Sequence, residues 1–180
     1  MIRLGHFNVV IDACVLYDSF MRDILLQIAD EVKRNLSLKI GEDKTNNVLR
    51  AINEAFPEAM DMNDTENIDF RNTNISPKDM HVLSTAICSD SQVILTYNIN
   101  DFPKEDLNRF SIEPQTPDEF LINILNLSFK QILAIFENLE SNYNNPPKSR
   151  DELLKWLEIR APKFTSMITP YLDGSITRIY

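Results

Sequence analysis

Glycine is scarce in this chain, with 3 residues in 180, and neither a G-x-x-x-x-G-K nor a G-x-G-x-x-G pattern occurs. Both of these nucleotide-binding loops need glycine where the backbone approaches a phosphate, so they are excluded. Low glycine also disfavours turn-dense all-β folds. No apolar run reaches the roughly 18 residues of a membrane span, and the N-terminus lacks the pattern of a signal peptide. We therefore expect a cytoplasmic protein with no membrane segment.

Cysteine is also rare: the chain contains two, Cys14 and Cys88. Two isolated cysteines form neither a disulfide framework nor a zinc site. Each has apolar neighbours in the sequence, so we expect both side chains to be buried. A reducing compartment fits this usage of cysteine.

Basic residues are outnumbered by acidic ones, and the formal net charge is −9. This balance disfavours non-specific binding of nucleic acid, which depends on neutralising phosphates with Lys and Arg. An acidic protein can still act on RNA through a local basic face, a bound cation or a basic partner chain. Hydrophobic residues make up 43% of the chain, which is enough for a folded core.

Strands and helices alternate over the first two thirds of the sequence. Residues 7–11 (FNVVI) and 92–97 (QVILTY) are β-branched runs typical of buried strands, and a last short strand is expected near residues 107–117. Three helices are predicted between the strands, over 19–36 with Ser19 as N-cap, over 44–55, and from a start at Ser76-Pro77 through about residue 90. This alternation predicts an α/β domain with a parallel sheet.

The pattern changes at Pro117, after which all predicted elements are helical. We expect one long helix over about 118–142, a break at 144–147, a helix over 149–160 with Ser149 as N-cap, and one further short helix. The chain therefore divides into an α/β domain over residues 1–116 and a helical extension over residues 117–180. The aromatic side chains of this extension are expected to pack its helices together: Phe129, Phe136, Tyr143 and Trp156.

Carboxylates stand where an open α/β sheet collects its functional groups. Asp12 follows the first strand directly, and Asp101 lies just beyond the strand at 92–97. Asp79 lies in the first turn of the helix that leads into that second strand. If the strands are neighbours, these carboxylates converge and need a cation to offset their repulsion. Oxygen ligands select hard ions such as Mg²⁺ or Mn²⁺, which serve in phosphodiester hydrolysis.

A purely structural role is the alternative for the same carboxylates. An Asp at a strand end or helix start is commonly a cap or a turn residue, and Asp79 could serve only the helix dipole. Asp12 fits this reading least, because it interrupts an apolar run. His81, a lone His in an apolar helix, is expected to be a hydrogen-bonded core residue rather than a base.

Three segments in order resemble the signature segments of PIN domains: VVIDACVLYDSFMRDILL, SPKDMHVLSTAI and VILTYNINDFP. They are closest to those of VapC-like toxins, in which the segment around the second acid reads roughly D-x-H-V-L-x-x-A. The stretch from Phe136 to Phe164 also resembles the helical C-terminal extension of one branch of this family. The resemblance therefore covers most of the chain.

The resemblance implies a three-layer fold, a parallel sheet flanked by helices, and a metal-dependent ribonuclease that hydrolyses phosphodiester bonds through water activated by Mg²⁺ or Mn²⁺. It implies that Asp12, Asp79, Asp101 and a helical acid, Glu31, are catalytic and bind the metal. It also implies a tRNA or rRNA substrate, a co-encoded antitoxin that blocks the acidic pocket or places an Arg or Lys in it, and a possible homodimer. Two further residues are assigned substrate-binding or supporting roles: Asn98 and Arg22, although a surface ion pair is an equal alternative for Arg22.

Glu31 departs from the pattern of this family. It stands 19 positions after Asp12 (31 − 12), a shorter interval than in relatives of this type. One continuous helix from Ser19 would place it about 18 Å along the axis, at about 1.5 Å per residue. Asp30, Glu42 or a water would then take the place of Glu31, or activity would be weakened or lost.

Two rival functions follow from these observations. The first is a catalytically degenerate PIN protein that only binds an antitoxin or RNA. The second is an unrelated acidic module for protein interaction, with its long helices as the interface. The degenerate PIN protein would cleave no RNA. The acidic interaction module would cleave no RNA and would bind no metal at the carboxylates.

Overall fold

The computed structural model describes residues 2–4, 7–40, 70, 73–143 and 147–176. The chain divides into two compact units, Met1–Thr116 and Pro117–Tyr180. The division lies at the residue where the sequence changes from alternating strands and helices to helices alone. The predicted helix over 44–55 and Glu42 lie outside the described residues.

Among the described residues, four short strands form the sheet of the first unit, in the order β1–β2–β3–β4. They are β1 (Ile2–Leu4), β2 (Phe7–Ile11), β3 (Val93–Leu95) and β4 (Glu113–Gln115). β2, β3 and β4 are parallel, whereas β1 is antiparallel to β2. The predicted α/β class with a parallel sheet and C-terminal helices is thus confirmed. The antiparallel edge strand was not predicted; two residues separate it from β2, which is short enough for antiparallel pairing.

Both faces of the sheet carry buried side chains. Val10 and Ile94 belong to one hydrophobic core together with Leu83 and Phe102. Successive side chains of a strand point to opposite faces, so Leu95 points away from that core, and it is fully buried too. This double burial explains why the strands read as uninterrupted apolar runs.

The described residues of the first unit include the helices α1 (Ala13–Leu16), α2 (Ser19–Ile40), α3 (Met80–Cys88) and α4 (Lys104–Asn108). Two predicted helix starts are wrong by a few residues. Ser19 is already inside α2, and the carboxylate of Asp18 accepts the backbone N–H of Met21 instead. Ser76 does not cap α3, because residues 77–79 form a turn in which the N–H of Asp79 bonds to the Ser76 carbonyl. Cys88 is exposed, contrary to the prediction, and Cys14 is half-buried.

The second unit contains α5 (Pro117–Leu127), α6 (Phe129–Glu137), α7 (Arg150–Arg160) and α8 (Pro162–Leu172). The single long helix predicted over 118–142 is wrong, because α5 and α6 meet at an angle of 119°. Ser128 leaves the helical conformation between them, with φ −147° and ψ 54°. The bend lets the apolar faces of both helices pack within one small unit.

Among the described residues, no single helix is long and apolar enough to cross a membrane. The bent pair of α5 and α6 reaches the required length and composition only when the two helices are taken together. The apolar faces of both helices are buried within the protein.

Phe129 and Phe136 pack within the second unit as predicted, whereas Trp156 does not. Phe136 and Phe164 are buried with their ring centroids 4.9 Å apart, and Phe129 meets Tyr171 edge-on at 5.0 Å. Trp156 instead lies at the surface, 36% exposed, with the ammonium of Lys148 4.1 Å from its ring centroid. A cation over the ring face offsets the exposure of an aromatic side chain.

The predicted N-cap of α7 is confirmed. The Ser149 hydroxyl accepts the backbone N–H of Glu152, and the Glu152 carboxylate accepts the backbone N–H of Ser149. These hydrogen bonds from Ser149 lower the pKa of Glu152 below its ordinary value of 4.5. The reciprocal pair is a capping box, which fixes where the helix begins.

Helix α8 begins without a polar side chain of its own at the N-cap, where Ala161 stands. The buried carboxylate of Asp118, from α5, takes over this role: it accepts the backbone N–H of Phe164 at 2.8 Å and that of Lys163 at 3.3 Å. A carboxylate is well suited to this place because it also faces the positive end of the helix dipole. Asp118 thereby joins the start of α5 to the start of α8.

We expect Asp118→Ala to lower the free energy of unfolding by about 1–3 kcal/mol, because it leaves buried N–H groups without an acceptor. Urea unfolding followed by the fluorescence of Trp156 measures the loss. Glu158→Ala, an exposed acid on α7, is the control and should change stability by less than about 0.5 kcal/mol. Equal stability of the two variants would contradict the capping role.

Candidate active site

Asp12 lies at the point where two parallel strands end. It follows β2, and its backbone N–H donates to the carbonyl of Leu95 at 2.9 Å, which extends the β2–β3 ladder by one bond. Asp12 is also the N-cap of α1, but its side chain makes no capping hydrogen bond. The carboxylate is therefore not used as a helix cap.

The Asp12 side chain is held by two neighbours through the same oxygen. The Thr96 hydroxyl donates to Asp12 Oδ2 at 2.7 Å, and the Cys14 thiol donates to it at 3.1 Å. Burial raises the pKa of the Cys14 thiol above its ordinary value of 9.0, and its hydrogen bond to Asp12 acts in the same direction. The thiol is therefore protonated at neutral pH and can serve as a donor. These contacts fix the orientation of the Asp12 carboxylate.

Thr96 links Asp12 to the loop that carries Asp101. Besides donating to Asp12, its hydroxyl accepts the backbone N–H of Asn98 at 2.9 Å. The Asn98 carbonyl in turn accepts the backbone N–H of Asp101 at 2.9 Å, and Ile99–Asp101 form one 3₁₀ turn. Asn98 thus contributes to this chain through its backbone, while its side chain is exposed. The ends of β2 and β3 and the Asp101 turn are joined in one hydrogen-bonded network.

Asp79 and Asp101 share one cation. The ammonium nitrogen of Lys78 lies 3.6 Å from Asp79 Oδ2 and 3.8 Å from Asp101 Oδ2. Two carboxylates that are 22 positions apart in sequence (101 − 79) are therefore neighbours in space. This pairing brings the start of α3 to the loop after β3.

Asp79 is the more deeply placed of these two acids. Its side chain is 19% exposed, and its Oδ2 is buried without a hydrogen bond. Asp79 is the N-cap residue of α3, but its carboxylate makes no capping bond. Burying a charged oxygen without a hydrogen bond is unfavourable, and the Lys78 contact offsets this cost only in part. The Asp79 carboxylate is therefore suited to a cation that binds it more closely.

The remaining predicted residues are placed as follows. Glu31 lies on α2, which runs without a break from Ser19 to Ile40 and so places Glu31 about 18 Å from its start, at about 1.5 Å per residue. Asp30, beside it, is exposed. Arg22 forms an ion pair with its neighbour Asp23 at 3.3 Å, which is the alternative given above for this residue. His81 is exposed on α3 rather than in the core, so the prediction for it is wrong.

The donor set fits a hard cation by its chemistry. Asp12, Asp79 and Asp101 offer only carboxylate oxygens, and one buried oxygen of Asp79 lacks a hydrogen bond. In the part of the chain that the structure describes, no group of three or more His, Cys, Asp or Glu side chains is placed closely enough to hold a metal ion. The full ligand set, including Glu31, therefore stays a prediction.

Three residues of this site were not found from the sequence. Thr96 and Cys14 hold Asp12, and Lys78 bridges the other two acids. Thr96 gave a usable signal, because it is a polar residue that directly follows an apolar strand, as Asp12 does. Cys14 and Lys78 gave none, since their partners are chosen by the fold.

Comparison with known proteins gives two matches. Residues 117–170 match the family model described as the VapC50 C-terminal domain. The chain is also 33% identical, over 89 residues, to "Putative ribonuclease VapC50" of Mycobacterium tuberculosis (strain ATCC 25618 / H37Rv). That match covers 49% of this chain and 53% of the relative, so the chain spans about half the length of the curated relative it matches.

No solved structure matches the chain. The α/β fold with a parallel sheet, the carboxylates at its strand ends and both comparisons agree with one another. They support the recognition made from the sequence: the chain is similar to a VapC relative, and its residues 117–170 match the C-terminal domain of the VapC50 type.

Proposed function

We propose that this protein is a metal-dependent endoribonuclease, the toxin of a toxin–antitoxin pair, that hydrolyses RNA phosphodiester bonds. The observation that carries this proposal is the meeting of Asp79 and Asp101 around one cation, the Lys78 ammonium. The network from Asp12 through Thr96 and Asn98 joins the third acid to the same loop. The name of the VapC50 relative supports the same activity.

In this proposal Asp12, Asp79 and Asp101, with Glu31 as a fourth ligand, hold one or two Mg²⁺ or Mn²⁺ ions. When bound, such an ion makes water a stronger nucleophile and stabilises negative charge on the phosphoryl oxygens. The chain's own residues prepare the place for it. Thr96 and Cys14 fix the Asp12 carboxylate, and the Asn98 carbonyl positions the Asp101 turn.

The proposed substrate is a structured RNA such as tRNA or rRNA, and the proposed location is the cytoplasm. Because the chain carries a formal charge of −9, RNA binding needs help from a bound cation, a local basic face or a second subunit. Arg22 is a candidate for a phosphate contact once its pair with Asp23 opens. A co-encoded antitoxin would neutralise the protein by placing an Arg or Lys at the carboxylates, where Lys78 already shows that an ammonium group is accepted.

Metal removal tests this proposal directly. We expect exhaustive treatment with EDTA to lower RNA cleavage by roughly 100-fold or more, and added Mn²⁺ to restore it. Ca²⁺ is the matched control, because it binds oxygen ligands but is larger and less rigidly coordinated than Mg²⁺. Cleavage of a mixed tRNA and rRNA pool, followed on a denaturing gel, is the measurement.

The outcomes also separate the rival functions. Cleavage that persists unchanged in EDTA would contradict a metal-dependent nuclease. A rise of the melting temperature with Mn²⁺ but no cleavage would favour the degenerate PIN protein that only binds an antitoxin or RNA. Neither cleavage nor a thermal shift would favour the acidic interaction module.

A further inference from the structure

Lys78 holds a place between two carboxylates that the proposed metal would also occupy. Its ammonium nitrogen is within 4 Å of Asp79 Oδ2 and of Asp101 Oδ2, at 3.6 and 3.8 Å. Both distances exceed those of charge-assisted hydrogen bonds, which are about 2.7–2.9 Å. The ammonium therefore offsets one of the two negative charges without binding either acid closely.

The charges around this point explain why a cation is needed there. Two ionised carboxylates that share a site repel each other, and burial increases the cost of the charged form. Asp79 Oδ2 is buried and has no hydrogen bond, so the Lys78 ammonium is the charge that compensates it. The chain thus carries a counter-ion of its own for these two acids.

We propose that Lys78 is a tethered counter-ion that competes with the divalent metal for Asp79 and Asp101. This inference rests on the proposed metal-dependent function and adds a determinant of metal affinity to it. A divalent ion bound by both carboxylates would stand within a few ångströms of a positive charge, so Lys78 must leave when the metal arrives. The ammonium therefore weakens metal binding and stabilises the metal-free state.

The structure allows this exchange without a change of fold. The Lys78 side chain is 71% exposed and extends from the turn that precedes α3. A lysine side chain is long and flexible, and its ammonium is strongly hydrated, so it can move into water at little cost. Asp79 and Asp101 stay in place, because α3 and the 3₁₀ turn hold their backbones.

The test is Mn²⁺ binding by the whole chain, measured by the electron paramagnetic resonance signal of free Mn²⁺. We expect Lys78→Met to bind Mn²⁺ roughly tenfold more tightly than wild type, because it removes a positive charge about 4 Å from the ligand oxygens. Lys78→Arg keeps the charge and should bind no more tightly than wild type. Lys104→Met is the matched control: Lys104 also pairs with one acid, Glu113 at 3.8 Å, and its side chain is 60% exposed.

Melting temperature gives a second readout that does not depend on activity. Metal-free Lys78→Met should melt lower than metal-free wild type, since the two acids lose their counter-ion, and its gain with saturating Mn²⁺ should be larger. Mn²⁺ affinity in Lys78→Met that equals or falls below wild type would overturn this inference alone. No Mn²⁺ binding by wild type or by any of the variants would overturn the proposed metal site, and the inference with it.

Discussion

Asp12→Asn is expected to lower Mn²⁺-dependent RNA cleavage by roughly 100-fold or more. The change replaces a charged oxygen ligand with a neutral amide at the end of β2. Even residues that only orient metal ligands typically cost 10–100-fold when they are changed. A rate that falls together with Mn²⁺ affinity would show that the carboxylate acts through the metal.

The fold should tolerate this substitution, so that the loss of activity has one cause. The backbone N–H of residue 12 still donates to the Leu95 carbonyl, and an amide oxygen can still accept from Thr96. We expect a change in the free energy of unfolding of less than about 1 kcal/mol in the absence of metal. Circular dichroism and urea unfolding of metal-free protein check this.

Asp90→Asn is the matched control for Asp12→Asn. It is the same chemical change in an exposed residue before β3, at the opposite end of that strand from Thr96. Its backbone has φ 50°, a conformation that Asn adopts readily, so stability should be kept. Equal activity of the two variants, or trace cleavage in wild type and both variants, would argue against catalysis at Asp12.

Phe164→Ala is expected to lower the free energy of unfolding of the second unit by about 3–5 kcal/mol. Phe164 is fully buried on α8 and packs against Phe136, with ring centroids 4.9 Å apart. Its removal leaves a cavity that a small helical unit cannot close by rearranging. The chain has one tryptophan, Trp156 on α7, so its fluorescence follows the unfolding of this unit.

Met167→Ala provides the control for Phe164→Ala. It also shortens a large apolar side chain on α8, but Met167 is 40% exposed. We expect a loss of less than about 1 kcal/mol, because little apolar surface returns to water. If both variants unfold at the same urea concentration, the core assigned to Phe136 and Phe164 is wrong.

Much of the fold could be predicted because local pattern and final environment agree. The run FNVVI is apolar throughout because both faces of β2 are covered, and the capping box at Ser149 is made by residues three positions apart. The errors lie where a distant contact decides. No glycine or proline stands at the break at Ser128, so the local sequence does not predict it. The break allows the apolar faces of α5 and α6 to pack into one core. The carboxylate that caps α8 comes from Asp118, 44 positions before Pro162 (162 − 118), which no local motif could indicate.

By itself the sequence determined the elements and the chemistry available to them: short buried strands, the helices that separate them, and acids at strand ends and helix starts. Those features depend on a few neighbouring residues, whose spacing fixes which side of a strand or helix is apolar. Only the tertiary structure decided which side chains meet. It joined Asp12 to Thr96, placed Lys78 between Asp79 and Asp101, and moved His81 and Cys88 to the surface. The physical reason is that contacts between residues far apart in the chain depend on how strands and helices are arranged in space. Local sequence patterns do not specify that arrangement.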